Sequence, residues 1–260
     1  MRLFYREYGT EHTDTVVLLH GYLSDSHYWS PVIKLLKQTH RVIAIDLLGF
    51  GKSPKPRLSS YSLDTHSQAV IDTLHTIGLP TKITLVGHSM GGLVAGHIAS
   101  LAPDKVADVV LFNMPVYTTP EQVRETLAST SRLYRTMLYS PIGRFGWPIL
   151  KYAAASPLVH IAPKTLRPIV RSSSKNSHAS RKKSLLHTIE QTNAIDLLTS
   201  IPVNTRIVQG VHDRPIYKTN LADHTTSLAK NTSITWIETG HHTPVLRPDF
   251  SYRMIINGTL

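Results

Sequence analysis

No cysteine occurs among the 260 residues of this chain. Disulfides, cysteine nucleophiles and thiolate metal sites are therefore excluded, while the redox state of the compartment stays open. Also lacking is any apolar run with the length and purity of a membrane-crossing helix. The N-terminal stretch Met1–Tyr8 alternates like a strand and has no apolar core of signal-peptide length. A cytoplasmic protein is the expectation. Acidic residues are few, with 17 Asp and Glu against 28 Lys and Arg, giving a net charge of +11. The imbalance is local: residues 115–200 carry twelve Lys/Arg against four Asp/Glu, a net of +8, whereas residues 1–114 net only +1.

What is present fits a single globular domain with an insertion. A hydrophobic content of 41% is ordinary for such a protein, and the length suffices for a large core. Thr15–Leu19, Arg41–Ile45, Lys82–Val86 and residues 106–112 are apolar, β-branched runs of strand length. Between them, residues 28–37, 62–77 and 90–101 have helical spacing, with Ser62 or Asp64 able to cap the second. This βαβ rhythm predicts an α/β fold with a mostly parallel sheet covered by helices on both faces. From Pro115 the rhythm stops. Residues 119–139, 141–155 and 176–198 read as proline-broken helices, and Arg171–Lys175 reads as a loop. Strand patterning resumes at Thr205–Gln209 and ends at Ser233–Ile237, with a helix over 218–229. The division expected is a core of residues 1–114 and 201–260 with a helical cap at 115–200.

One motif carries chemistry. Gly87-His88-Ser89-Met90-Gly91 stands between an apolar strand and a helix of small residues, which is the setting of a nucleophile elbow. A serine on such a sharp turn is lifted out of the sheet. The glycines let the backbone bend and the helix approach its neighbours closely. The helix also aims its first amides at the place where an oxyanion would form.

Further motifs follow in order: His20-Gly21-Tyr22 after the first long strand, Asp46-Leu47-Leu48-Gly49-Phe50-Gly51-Lys52-Ser53, Gly210-Val211-His212-Asp213, and Gly240-His241 after the last strand. Together with the elbow these resemble the α/β-hydrolase superfamily, in its lid-bearing serine esterase/lipase-like branch. The resemblance implies a Ser-Asp-His triad in that chain order, carried here by Ser89, Asp213 and His241. It also implies an oxyanion hole made by the backbone N–H groups of Tyr22 and Met90.

Each part has a chemical reason. A serine hydroxyl needs a base to take its proton. A carboxylate on the far nitrogen of the imidazole fixes its tautomer and stabilises the imidazolium. Each oxyanion donor is worth about 3–4 kcal/mol. Asp196 and Asp223 compete for the acid role, but one precedes a strand and the other falls inside a helix. Of the adjacent His241 and His242, the residue directly after the glycine matches the family. His20 is expected to hold the oxyanion loop and His88 to pack or hydrogen bond. Asn113 occupies a position where some relatives place the acid. The histidines lack metal-ligand spacing, and no cofactor or metal is expected.

Serine in the elbow argues against a dehalogenase or an epoxide hydrolase, which use aspartate. Tyr22-Leu23 lacks the proline that epoxide hydrolases carry after His-Gly. The expected function is hydrolysis of carboxylic esters with small to medium, largely apolar acyl groups. The alternatives are a carbon–carbon bond hydrolase with the same triad and a non-catalytic ligand receptor. Apolar residues such as Met114, Leu127, Leu133, Phe145 and Trp147 could line the acyl pocket or form the cap's own core. The basic cap suits an anionic membrane surface, acidic substrates or plain solvation; no motif points to nucleic acid.

Overall fold

A computed structural model describes residues 1–79, 82–129 and 176–257. Among the described residues seven strands form one sheet: β1 (Tyr5–Tyr8), β2 (Thr15–Leu19), β3 (Arg41–Ile45), β4 (Ile83–His88), β5 (Val106–Phe112), β6 (Asn204–Gly210) and β7 (Thr232–Ile237). Their spatial order is β1-β3-β2-β4-β5-β6-β7. Only β1 runs antiparallel, pairing Tyr5 with Ile45 and Tyr8 with Val42; the remaining pairs are parallel. The central strands are buried on both faces, which is why β2 is Thr-Val-Val-Leu-Leu without a polar alternation.

Alternate residues of each strand enter different cores. Val17, Leu19, Ile43, Leu85 and Leu111 face one side. There they meet helices α2 (Leu63–Ile77) and α3 (Met90–Leu101) and the segment leading into β6. Val16, Leu18, Val42, Val86 and Phe112 face the other. A 3₁₀ turn (Ser26–Trp29), α1 (Ser30–Leu36) and a C-terminal helix cover that side. Each fully buried large apolar side chain contributes about 1.5–3 kcal/mol.

The helix predicted over 62–77 is capped as expected. Ser62 accepts the amide of Thr65, and Gly78 ends the helix at φ 71° in the left-handed region. Other boundaries moved. The pattern over 119–139 is seen as α4 (Pro120–Ala128) within the described residues. The stretch 176–198 is not one helix: α5 (His178–Ser184) runs into a π-helical turn (Leu185–Glu190), and α6 (Ala194–Thr199) starts afresh. The break falls at Asn193, whose side chain accepts the amides of Ile195 and Asp196 and so caps a new helix. The helix expected at 218–229 is α7 (Pro215–Asp223), begun early by a proline at its N-terminus and followed by a 3₁₀ turn at Thr225–Ser227. Helices α8 (Thr243–Leu246) and α9 (Pro248–Ile256) have no counterpart in the sequence reading. The helix expected at 141–155, the loop Arg171–Lys175 and the pocket candidates Leu133, Phe145 and Trp147 lie outside the described residues. Among the described residues, no helix is long and apolar enough to cross a membrane.

Candidate active site

Every motif residue singled out in the sequence sits at the carboxyl end of a strand, the edge where open parallel sheets gather ligands. Ser89 follows β4 and begins α3 with φ 52° and ψ −125°. A positive φ is strained for a residue with a side chain. The turn is held by Ser89 N–H donating to Phe112 O at 2.9 Å and Gly92 N–H to Ser89 O at 2.7 Å. The glycines are required by contact as well as by shape. A Cβ on Gly91 would lie 2.4 Å from the Leu19 carbonyl oxygen, and one on Gly87 would lie 2.2 Å from that of Gly91.

Ser89, His241 and Asp213 come together although 152 residues separate the serine from the histidine. Ser89 Oγ is 3.0 Å from His241 Nε2, and His241 Nδ1 is 2.9 Å from Asp213 Oδ2 and 3.1 Å from Oδ1. The Asp213 side chain is 3% exposed and that of His241 35%. The carboxylate is thus sealed and the imidazole reachable. Burial acts to raise the Asp213 pKa, but the hydrogen bond and charge of His241, the Arg214 amide and Asn113 outweigh it, and the carboxyl is held below its ordinary value.

Asp213 has partners that the sequence reading did not foresee. Asn113 Nδ2 and Gln209 Nε2 each donate to Oδ2 at 3.1 Å, and the Arg214 N–H donates to Oδ1 at 2.9 Å. Asn113 and Gln209 lie at the ends of β5 and β6, which are paired neighbours. Their convergence is a property of the sheet order, and no local pattern marks it. The competitor Asp196 lies in α6 and Asp223 ends α7; neither contacts His241.

The His20-Gly21-Tyr22 loop lies against the elbow: a Cβ on Gly21 would come within 3.0 Å of Ser89 Cβ. His20 anchors this loop. Its Nε2 accepts the Leu47 amide at 2.9 Å, so Nδ1 carries the proton and donates to Gly21 O at 2.8 Å. Burial lowers the His20 pKa despite the opposing pull of Asp46, which keeps the ring neutral. Asp46 itself fastens the next loop, accepting the amides of Ser26 at 2.7 Å and Lys52 at 2.8 Å. Tyr22 turns its hydroxyl away to the Arg181 carbonyl at 3.0 Å. Met90 is the first residue of α3, whose opening amides have no acceptor within the helix; its side chain is fully buried in the core. His242, beside His241, does not reach Ser89. Burial and the charge of His241 push its pKa down to about 4.

Among the described residues, no cluster of three or more His, Asp or Glu side chains is arranged to hold a metal ion.

Comparison with known proteins agrees with this architecture. The chain is 34% identical over 154 residues to an Arabidopsis thaliana protein named "Probable lysophospholipase BODYGUARD 4", covering 56% of this chain and 35% of that one. It is 30% identical over 141 residues to Epoxide hydrolase 4 of Mus musculus, covering 54% and 38%. The chain therefore spans little more than a third of the length of these relatives. The solved structure of the esterase EaEST from Exiguobacterium antarcticum superimposes with a TM-score of 0.77 at 20% identity, covering 98% of this chain and 94% of that one. A family profile described as the alpha/beta hydrolase fold matches residues 14–224. With its sheet order, its elbow and this match, the chain belongs to the α/β hydrolase fold family.

Proposed function

We propose that this α/β hydrolase is a serine esterase acting on carboxylic esters with small to medium, largely apolar acyl groups. The observation that carries the reading is the unbroken relay Ser89 Oγ–His241 Nε2–Asp213 Oδ2, with steps of 3.0 and 2.9 Å. These are working distances for a nucleophile, its base and the group that orients the base.

The reaction runs in two halves. His241 Nε2 accepts the Ser89 proton as Oγ attacks the ester carbonyl. The tetrahedral oxyanion is met by the N–H groups of Tyr22 and Met90. Asp213 on Nδ1 stabilises the imidazolium. His241 then gives its proton to the departing alcohol, leaving an acyl group on Ser89. Water, deprotonated by the same nitrogen, attacks the acyl-enzyme and releases the acid.

The word lysophospholipase in the plant relatives' names supports an ester of lipid origin. The epoxide hydrolase among the relatives does not redirect the reading, because Ser89 rather than an aspartate occupies the elbow. The test is turnover of p-nitrophenyl esters of increasing acyl length by the wild type and by Ser89→Ala. Turnover with a length optimum that vanishes in the folded Ser89→Ala variant is expected. Turnover that survives the substitution would end the proposal.

A further inference from the structure

We infer that His88 is a positioning residue for His241, tying the main chain of the base to the residue beside the nucleophile. This rests on the triad reading above. His88 closes β4 and is 3% exposed. Its Nε2 lies 2.7 Å from the carbonyl oxygen of His241. A carbonyl can only accept, so Nε2 carries the proton and donates it. Nδ1 is then bare, and among the described residues it has no hydrogen-bond partner. It faces the oxyanion loop: a Cβ on Gly21 would stand 2.8 Å from it. One ring thus meets the elbow, the base and the oxyanion loop.

The ring is held by Tyr28, which stacks on it with centroids 4.3 Å apart and planes 19° from parallel. Tyr28 is itself 3% exposed. The His241 and His242 rings lie 5.1 and 5.8 Å from His88. A charged His88 would oppose the imidazolium that forms on His241 during reaction, and burial keeps the His88 ring neutral.

The need for this tether follows from where His241 stands. It lies in the connection between β7 and α8, outside regular structure. Asp213 orients its ring through Nδ1, but a side-chain bond does not fix the backbone from which the ring projects. Asn113 holds the preceding carbonyl, that of Gly240, at 3.1 Å, and His88 holds the carbonyl of His241 itself. A misplacement of about 1 Å in such a pair costs about a hundredfold in rate. The donor therefore acts on the chemical step and leaves substrate binding alone.

The test compares His88→Leu, which keeps bulk and loses the donor, with His88→Gln, whose side-chain amide can donate to the same carbonyl. Steady-state ester hydrolysis should show kcat of His88→Leu lowered about ten- to a hundredfold with KM within about threefold. His88→Gln should recover most of that loss. Equal losses in both variants, or a change confined to KM, would overturn the inference. A second arm needs no substrate. Nitrogen-15 NMR of histidine-labelled wild type should show the His88 ring neutral at pH 7 with its proton on Nε2. A proton on Nδ1, or a charged ring, overturns the inference whatever the protein hydrolyses. Failure of the triad reading looks different: the expected tautomer, but a wild type that neither turns over esters nor accepts a fluorophosphonate on Ser89. That result removes the positioning role as well.

Discussion

Asn113 and Asp213 are joined by a 3.1 Å hydrogen bond across 100 residues of sequence. The same Asn113 Nδ2 also donates to the Gly240 carbonyl at 3.1 Å. One amide therefore braces the Asp213 carboxylate and the loop that carries His241. Asn113 adopts φ 47°, a left-handed conformation that asparagine tolerates better than most residues. Asn113→Ala should cost about 1–3 kcal/mol, because a buried acceptor loses its donor. Loss of activity should exceed what that instability explains. Urea unfolding beside kcat at one temperature separates the two effects.

Asp213→Asn should leave the fold intact and lower kcat about 10⁴-fold, because an amide can hold His241 in the wrong tautomer. Gln209, which donates to Oδ2 and whose Oε1 has no partner among the described residues, can turn its amide to accept from the new Nδ2. A stopped-flow comparison with wild type at matched stability measures the drop. A near-normal rate would move the acid to another carboxylate.

Gly91→Ala should damage folding more than its single methyl suggests. The added carbon would sit 2.4 Å from Leu19 O and 2.5 Å from His20 O, both backbone atoms of the strand that the helix crosses. Overpacking of this kind costs about 1–3 kcal/mol. Gly78→Ala is the contrasting case. Nothing stands within 4 Å there, and only the left-handed φ of 71° opposes the change. Thermal unfolding of the two variants should place Gly91→Ala well below Gly78→Ala.

The sequence and the structure agree best where chemistry fixes local spacing. The elbow could be read because its glycines, its serine and the following helix are contiguous. Asp213 and His241, which the structure brings together with Ser89, stand out in the sequence because each follows a strand after a glycine. In the sequence Asn113 stands out only as an amide where some relatives place the acid, and Gln209 does not stand out at all. Their importance arises from β5 lying beside β6, which no five-residue window contains. The Tyr28–His88 stack escaped for the same reason. Helix α9 has no marked pattern in the sequence because it spans only nine residues. Its buried Phe250, Met254 and Ile255 pack on the sheet's second face, and tertiary contact rather than periodicity defines it.

The buried histidines set how stability should respond to acid. His66 is fully buried between the rings of Phe50 and Tyr61, with Nε2 3.0 Å from Ser184 Oγ. Burial, with a smaller push from His20, lowers its pKa from 6.5 to about 3. His20 and His88 are lowered in the same direction by burial. An unfolded chain takes up these protons near pH 6.5, whereas the folded one refuses them until far lower pH. Between those limits the unfolded state binds more protons, so stability is complete above about pH 6.5 and falls as the pH falls toward about 3. Asp213, whose pKa is also lowered, adds a loss in the same direction at the acid end. The urea midpoint should therefore hold between pH 7.5 and about 6.5 and drop from there toward pH 5. His66→Gln, which cannot titrate but can still bond Ser184, should flatten that slope. An unchanged slope in the variant would mean that His66 is not held neutral in the folded protein.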